Sequence, residues 1–131
     1  MIGLDTNILL RAMTQDDPVQ SPIARRIMQD LSARSPGHVS VVALAELAWT
    51  LNRRYRYSDE QILAAIETLL VSTFIVVGDR DAVARAVMRS ADDGLGFPDA
   101  LLAELNVDAG CAVTVTFDKQ AVRSTVFELA K

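Results

Sequence analysis

The sequence predicts an α/β domain, a parallel sheet covered by helices on both faces. Short apolar runs of strand type alternate with longer segments carrying apolar residues at helical spacing. Capping and breaking residues separate the two kinds of segment along the whole chain. The 131 residues, half of them hydrophobic, suit one domain over residues 1–131 with a single core and no staples.

Ile2 to Leu4 is the first short strand, and Asp5-Thr6-Asn7 caps a helix running through Met13. Asp16-Asp17-Pro18 breaks it. A second helix is expected from about Ser21 to Ala33, with Ile23, Ile27, Met28 and Leu31 on one face, closed by Ser35-Pro36-Gly37. His38-Val39 is a minimal strand, and Ser40 caps a third helix from Val41 to about Arg54. Ser58 with Gln61 forms a capping box for a fourth helix bearing Ile62, Leu63, Ile66, Leu69 and Leu70. Phe74 to Val77 reads as a strand, Arg80 to Ala91 as a helix and Asp92 to Gly96 as a loop. Pro98 opens a helix reaching about Asn106, Gly110 ends that segment, and Ala112 to Phe117 is expected to be a buried strand. Asp118 begins a last short helix, and Thr125 to Leu129 adds an edge strand.

The net charge of −4 argues against charge-driven coating of nucleic acid. The positive side is eleven Arg and two Lys, and arginine grips phosphate with paired hydrogen bonds. The lone cysteine, Cys111, excludes an internal disulfide and lies in an apolar run where a buried thiol is expected. The opening residues carry no basic leader, and no apolar stretch is long enough to span a bilayer, so a cytoplasmic protein is expected.

Ligand sites in parallel α/β sheets lie beyond the carboxyl ends of the strands. Four acids fall there. Asp5 and Asp118 follow strands, Asp99 lies in the first turn opened by Pro98, and Glu46 lies in the helix after His38-Val39. Helix capping by Asp5 and Asp118, and dipole complementation by Asp99, are simpler alternatives for each taken singly. Glu46 stands among otherwise apolar residues from Val41 to Trp49, where burial requires a compensating cation or proton. Crowded carboxylates suit a hard divalent ion such as Mg²⁺ or Mn²⁺, which serves phosphodiester hydrolysis. One His and one Cys cannot build a zinc site.

The chain resembles the PIN-domain ribonucleases, and within them the VapC-type toxins of toxin–antitoxin pairs. The resemblance rests on Gly3-Leu4-Asp5-Thr6-Asn7-Ile8-Leu9, Ala45-Glu46-Leu47, Gly96-Phe97-Pro98-Asp99-Ala100-Leu101 and Thr116-Phe117-Asp118-Lys119, in order over essentially the whole chain. It implies a PIN-like three-layer sandwich with a parallel sheet of four or five strands. Asp5, Glu46, Asp99 and Asp118 would form the catalytic and metal-binding quartet, with Asp5 and Asp99 the most direct Mg²⁺ ligands. The resemblance further implies an RNA substrate such as tRNA or rRNA, a cognate antitoxin and a homodimer. Many relatives carry an Asp where Gly96 stands, so this chain lacks one ligand that the resemblance would give a second metal position, and Asp92 and Asp93 are the loop acids nearest in sequence.

Thr6, Asn7, Arg11, Thr116 and Lys119 flank the acids and are candidate substrate contacts. Arg53, Arg54 and Arg56 with Tyr55 and Tyr57 form the densest basic and aromatic stretch, suited to RNA or to a solvated helix end. Trp49 is expected in the core, and His38 has no visible partner. The apolar sides of the second and fourth helices suit the core, an antitoxin helix or a dimer face. Two rival readings are a catalytically inactive PIN-like interaction module and another Mg²⁺-dependent phosphatase or phosphotransfer domain. An aspartyl-phosphate enzyme would want a second acid at Asn7.

Overall fold

The computed structural model describes residues 1–131. The elements are β1 (Ile2–Gly3), α1 (Thr6–Thr14), α2 (Gln20–Gln29), β2 (Gly37–Val39), α3 (Val41–Tyr55), α4 (Asp59–Val71), β3 (Ile75–Val77), α5 (Arg80–Asp93), α6 (Phe97–Asp108), β4 (Thr114–Thr116) and β5 (Phe127–Leu129). A 3-10 turn at Ala121–Arg123 precedes β5. Every strand pairing is parallel, as the alternation predicts, but the five strands divide between two ladders. β1-β2-β3 form one sheet, and β4-β5 pair only with each other. β1, two residues long, offers its second edge to no strand, so the ladder stops there.

Register aligns Ile2, Gly37 and Ile75 across the larger sheet, so β1, β2 and β3 end at a common edge. Asp5 and Ser40 leave that edge as caps. The Asp5 carboxylate accepts from the Thr6 amide at 2.8 Å, and the Ser40 hydroxyl from the Ala43 amide at 3.2 Å. The capping box at Ser58 and Gln61 forms in full. Gly37 has a packing reason, because a Cβ there would stand 2.7 Å from Leu4 Cδ1 and 3.0 Å from Leu31 Cδ1.

The core centres on α3. Leu44, Leu47 and Leu51 are wholly enclosed, with Ala48 beside them, and α3 meets α1, α4 and α6. The same helix turns Val42, Glu46, Trp49 and Arg53 to solvent, a stripe at i, i+4, i+7 and i+11. Two expectations are corrected here. Trp49 is 56% exposed, not a core residue, and Glu46 is exposed, not buried among apolar neighbours. The costly buried acid is Glu104, 2% exposed, in an equally apolar stretch of α6. Its two oxygens accept from Arg85 Nε at 2.9 Å and Arg89 Nε at 2.6 Å, which welds α5 to α6. Burial alone would push the Glu104 carboxyl up, but the two arginines outweigh it and hold the group below the usual range.

Element ends differ from expectation where serine and aspartate side chains bond the backbone or each other. α2 stops at Gln29, short of Ala33. The Ser32 amide donates to the Ser35 carbonyl, and the Ser32 hydroxyl accepts from the Ser35 amide at 3.1 Å. α5 continues through Asp93, where a loop was expected, and closes on Gly94 at φ +70°, a conformation that favours glycine. β4 covers only Thr114–Thr116 and is not buried: Val115 is 63% exposed and Phe117, just beyond it, 87%. Cys111 is also exposed, contrary to expectation.

The α1–α2 turn is tied to the end of α3. Asp16 accepts from the Tyr55 hydroxyl at 2.6 Å, from Thr14 at 2.8 Å and from Arg11 at 3.0 Å. The Tyr55 bond leads these causes in pulling the Asp16 carboxyl down to about 2. A depressed carboxylate stabilises the fold fully above its unfolded pKa of about 3.9, and that contribution is lost as pH falls towards about 2. Tyr55→Phe raises the Asp16 pKa and shifts this acid loss to higher pH, as NMR titration and acid unfolding will show. Leu47→Ala, at a fully enclosed site, lowers unfolding free energy by about 2–5 kcal/mol in urea melts.

Candidate active site

Asp99 is placed by the tight α5–α6 connection. The buried Ser90 donates its hydroxyl to the Leu95 carbonyl, the Gly94 amide donates to the Ser90 carbonyl at 3.1 Å, and Leu95 and Phe97 are buried on either side of Gly96. Pro98 follows in the first turn of α6, where its missing N–H leaves no helical bond unmade. Asp118 is placed by the C-terminal segment. Thr116 Oγ1 accepts from the Asp118 amide at 3.0 Å, and the Asp118 carboxylate accepts from the Gln120 amide at 2.8 Å. That segment is pinned by Asn106 donating to Thr114 Oγ1 at 2.9 Å, by Ser124 donating to Asp93, and by burial of Ala121, Val126 and Phe127.

These two placements set Asp118 near enough for its charge to act on Asp99. The Asp99 side chain makes no hydrogen bond or ion pair, while each of the five ion pairs uses Asp16, Asp93, Glu104 or Asp108. Partial burial of its carboxyl in the cleft pushes Asp99 above the ordinary carboxylate range, and the Asp118 charge pushes it further. Asp5, Glu46 and Asp118 also lack a basic partner, and all four side chains are open to solvent. Glu46 shares a concavity with Trp49 and Pro98, and Pro98 also borders the cleft that holds Asp99. Pro98 and Trp49 thus border both the concavity of Glu46 and the cleft of Asp99.

The full convergence expected of the quartet is not reached. No three His, Cys, Asp or Glu side chains stand close enough to hold an ion among themselves. A pair of carboxylates with no cation, all-oxygen and solvent-accessible, nevertheless fits Mg²⁺, which keeps most of its waters and takes one or two protein carboxylates plus substrate phosphate. Asp93 does not substitute for an acid at position 96, because its carboxylate is taken by Arg89 and Ser124.

The flanking candidates separate into two groups. Asn7 and Lys119 are exposed, and no acid pairs with Lys119. Thr6 is buried, and Thr116 uses its hydroxyl on the Asp118 amide. Arg11 is turned to the α1–α2 connection, donating to Asp16 and to Gln20 at 2.9 Å, which corrects its expected position in the cleft.

With the geometry in place, comparison decides the family: the PIN domain family model matches residues 2–125. The chain belongs to the PIN-domain family. PIN domains are nucleases that use divalent metal ions, which agrees with the unpaired Asp99–Asp118 carboxylates. A search of curated proteins finds no match. Among solved structures, this PIN domain is similar to the Mycobacterium tuberculosis toxin VapC20, described as cleaving the sarcin–ricin loop. The identity is 20%, over 93% of each chain, with a TM-score of 0.48, a likeness too distant to carry a substrate or partner across. No helix of this PIN domain is long and apolar enough to cross a membrane.

An acid whose native pKa is raised opposes folding while ionised, above that pKa, and the opposition is relieved as pH falls below the unfolded value. Asp118→Asn lowers the Asp99 pKa in metal-free protein, though not to the ordinary value, since burial is the larger cause. Carboxyl-carbon NMR titration checks this, and an unchanged Asp99 would show that the two groups do not face each other.

Proposed function

We propose that this PIN domain is a Mg²⁺-dependent endoribonuclease toxin of the VapC type, hydrolysing RNA phosphodiester bonds and silenced by a cognate antitoxin. The observation that carries the reading is Asp99, a solvent-open acid without a cation whose carboxyl is raised by partial burial and by the Asp118 charge, in a chain that matches the PIN domain over residues 2–125. Structured RNA such as tRNA or rRNA is the substrate class, the cytoplasm the location, and a homodimer the assembly that go with it.

Asp99 and Asp118 would hold the ion, with Asp5 at the sheet edge and Glu46 on α3 completing its shell through water. The bound ion supplies charge neutralisation and Lewis acidity at the phosphoryl group. The chain's own contribution is orientation. The Thr6 amide fixes one oxygen of Asp5, and the Gln120 amide fixes one oxygen of Asp118, so each presents its other oxygen outward. Thr116 sets the backbone angle from which Asp118 projects. Lys119, exposed and unpaired, meets the phosphate backbone next to the cleft. Mn²⁺ satisfies the same oxygen set.

One observation favours a silent binding module: no three acids meet around one point. Activity separates the two readings. Purified protein is incubated with total RNA in Mg²⁺ or EDTA, beside Asp99→Asn and Asp5→Asn. Cleavage that needs Mg²⁺ and falls about 100-fold or more in either variant supports the nuclease. Cleavage surviving both EDTA and the substitutions, or absent throughout, defeats it.

A further inference from the structure

Trp49 has no structural reason to be where it is. Its helix already buries Leu44, Leu47, Ala48 and Leu51, yet the indole stands 56% exposed on the opposite face. Arg53, one turn on, lays its guanidinium over the ring, 5.3 Å from the centroid. Arg53 makes no ion pair and no side-chain hydrogen bond, so its guanidinium donors face solvent unused. Together they border a cleft of about 260 Å³ with Asn52, Pro98 and Asp99. On its other side Trp49 borders the concavity that contains Glu46. The indole is therefore a wall between two of the family's acidic positions.

We propose that Trp49 and Arg53 form a nucleobase site, in which one unpaired base of the RNA stacks on the indole while Arg53 contacts the adjoining phosphate. The inference rests on the nuclease reading and adds to it that the substrate presents an unstacked nucleotide beside the cut. Three features select this occupant. An exposed aromatic face accepts any base, and stacking on it is a main source of affinity for single strands. A free arginine beside it supplies the phosphate contact that the net charge of −4 denies the protein as a whole. The cleft lies under the small-molecule range of about 300–1,000 Å³, a size for one base and not for a helix.

Trp49 is the sole tryptophan, so intrinsic fluorescence reads this site directly. The probe is a short single-stranded oligoribonucleotide titrated in EDTA, with an abasic oligomer of equal length as control. The expected result is saturable quenching by the RNA and much weaker quenching by the abasic strand. Affinity falls about 10-fold or more in Trp49→Ala and Arg53→Ala, measured by fluorescence anisotropy of labelled RNA, and is largely kept in Trp49→Phe. Equal quenching by both strands, or none, overturns the proposal. So does emission that shifts with protein concentration alone while sedimentation shows self-association, which would make the face a contact between two copies. Because no cleavage occurs in this assay, its failure beside intact Mg²⁺-dependent cleavage rejects only the base site, and loss of cleavage beside intact quenching rejects only the nuclease.

Discussion

The inward stripe of α3 is the constraint on which the rest depends. Once Leu44, Leu47 and Leu51 are locked into the core, helical periodicity leaves no choice for the residues between them. Glu46 and Trp49 must face outward, along the side of α3 that Pro98 of α6 approaches. A rotation of α3 large enough to bury the indole would expose leucines that are now fully enclosed, and core packing at crystal-like density resists it. The outward position of these two side chains is therefore set by hydrophobic burial on the far side of the same helix.

Asp99 and Asp118 obey a different logic. They come from separate segments, and each is held by bonds that do not involve its partner: the Ser90-anchored turn for one, the pinned C-terminal segment for the other. The scaffold fixes both positions, so the Asp118 charge bears on an Asp99 that is already held partly desolvated against its preference for charge. A cation bound there would relieve this conflict, which is what the proposed nuclease reading requires of the pair.

Much of the fold was readable in sequence because caps and periodicity are local. Asp5, Ser40 and the Ser58–Gln61 box act within one turn, and each was found where the pattern puts it. The motifs single out Asp99 and Asp118 as candidates, but their relative placement depends on the packing of the C-terminal segment against α5 and α6. What escaped was the direction in which apolar residues face. Val41 to Trp49 reads as uniformly apolar, which predicts an enclosed Glu46 and a core Trp49, when only the leucine face is inside. Glu104 sits in an equally apolar run and is the acid that is enclosed, because Arg85 and Arg89 of α5 reach it. No single-helix pattern reveals a partner supplied by another helix. The division of the strands into two ladders and the exposure of Cys111 and Phe117 were hidden for the same reason.

The small β4–β5 ladder has one more consequence. β4 has no neighbour except β5, and β5 is the last element of the chain. Ending the polypeptide ahead of Phe127 would strip β4 of its backbone partner and take Val126 and Phe127 off the core's rim if the cut preceded both. The stem that carries Asp118 would then be held by the Asn106–Thr114 bond, the buried Ala121 and Ser124 near a fraying end. The final strand is thus as much a part of the acidic cleft as the helices that surround it, although it contributes no side chain there.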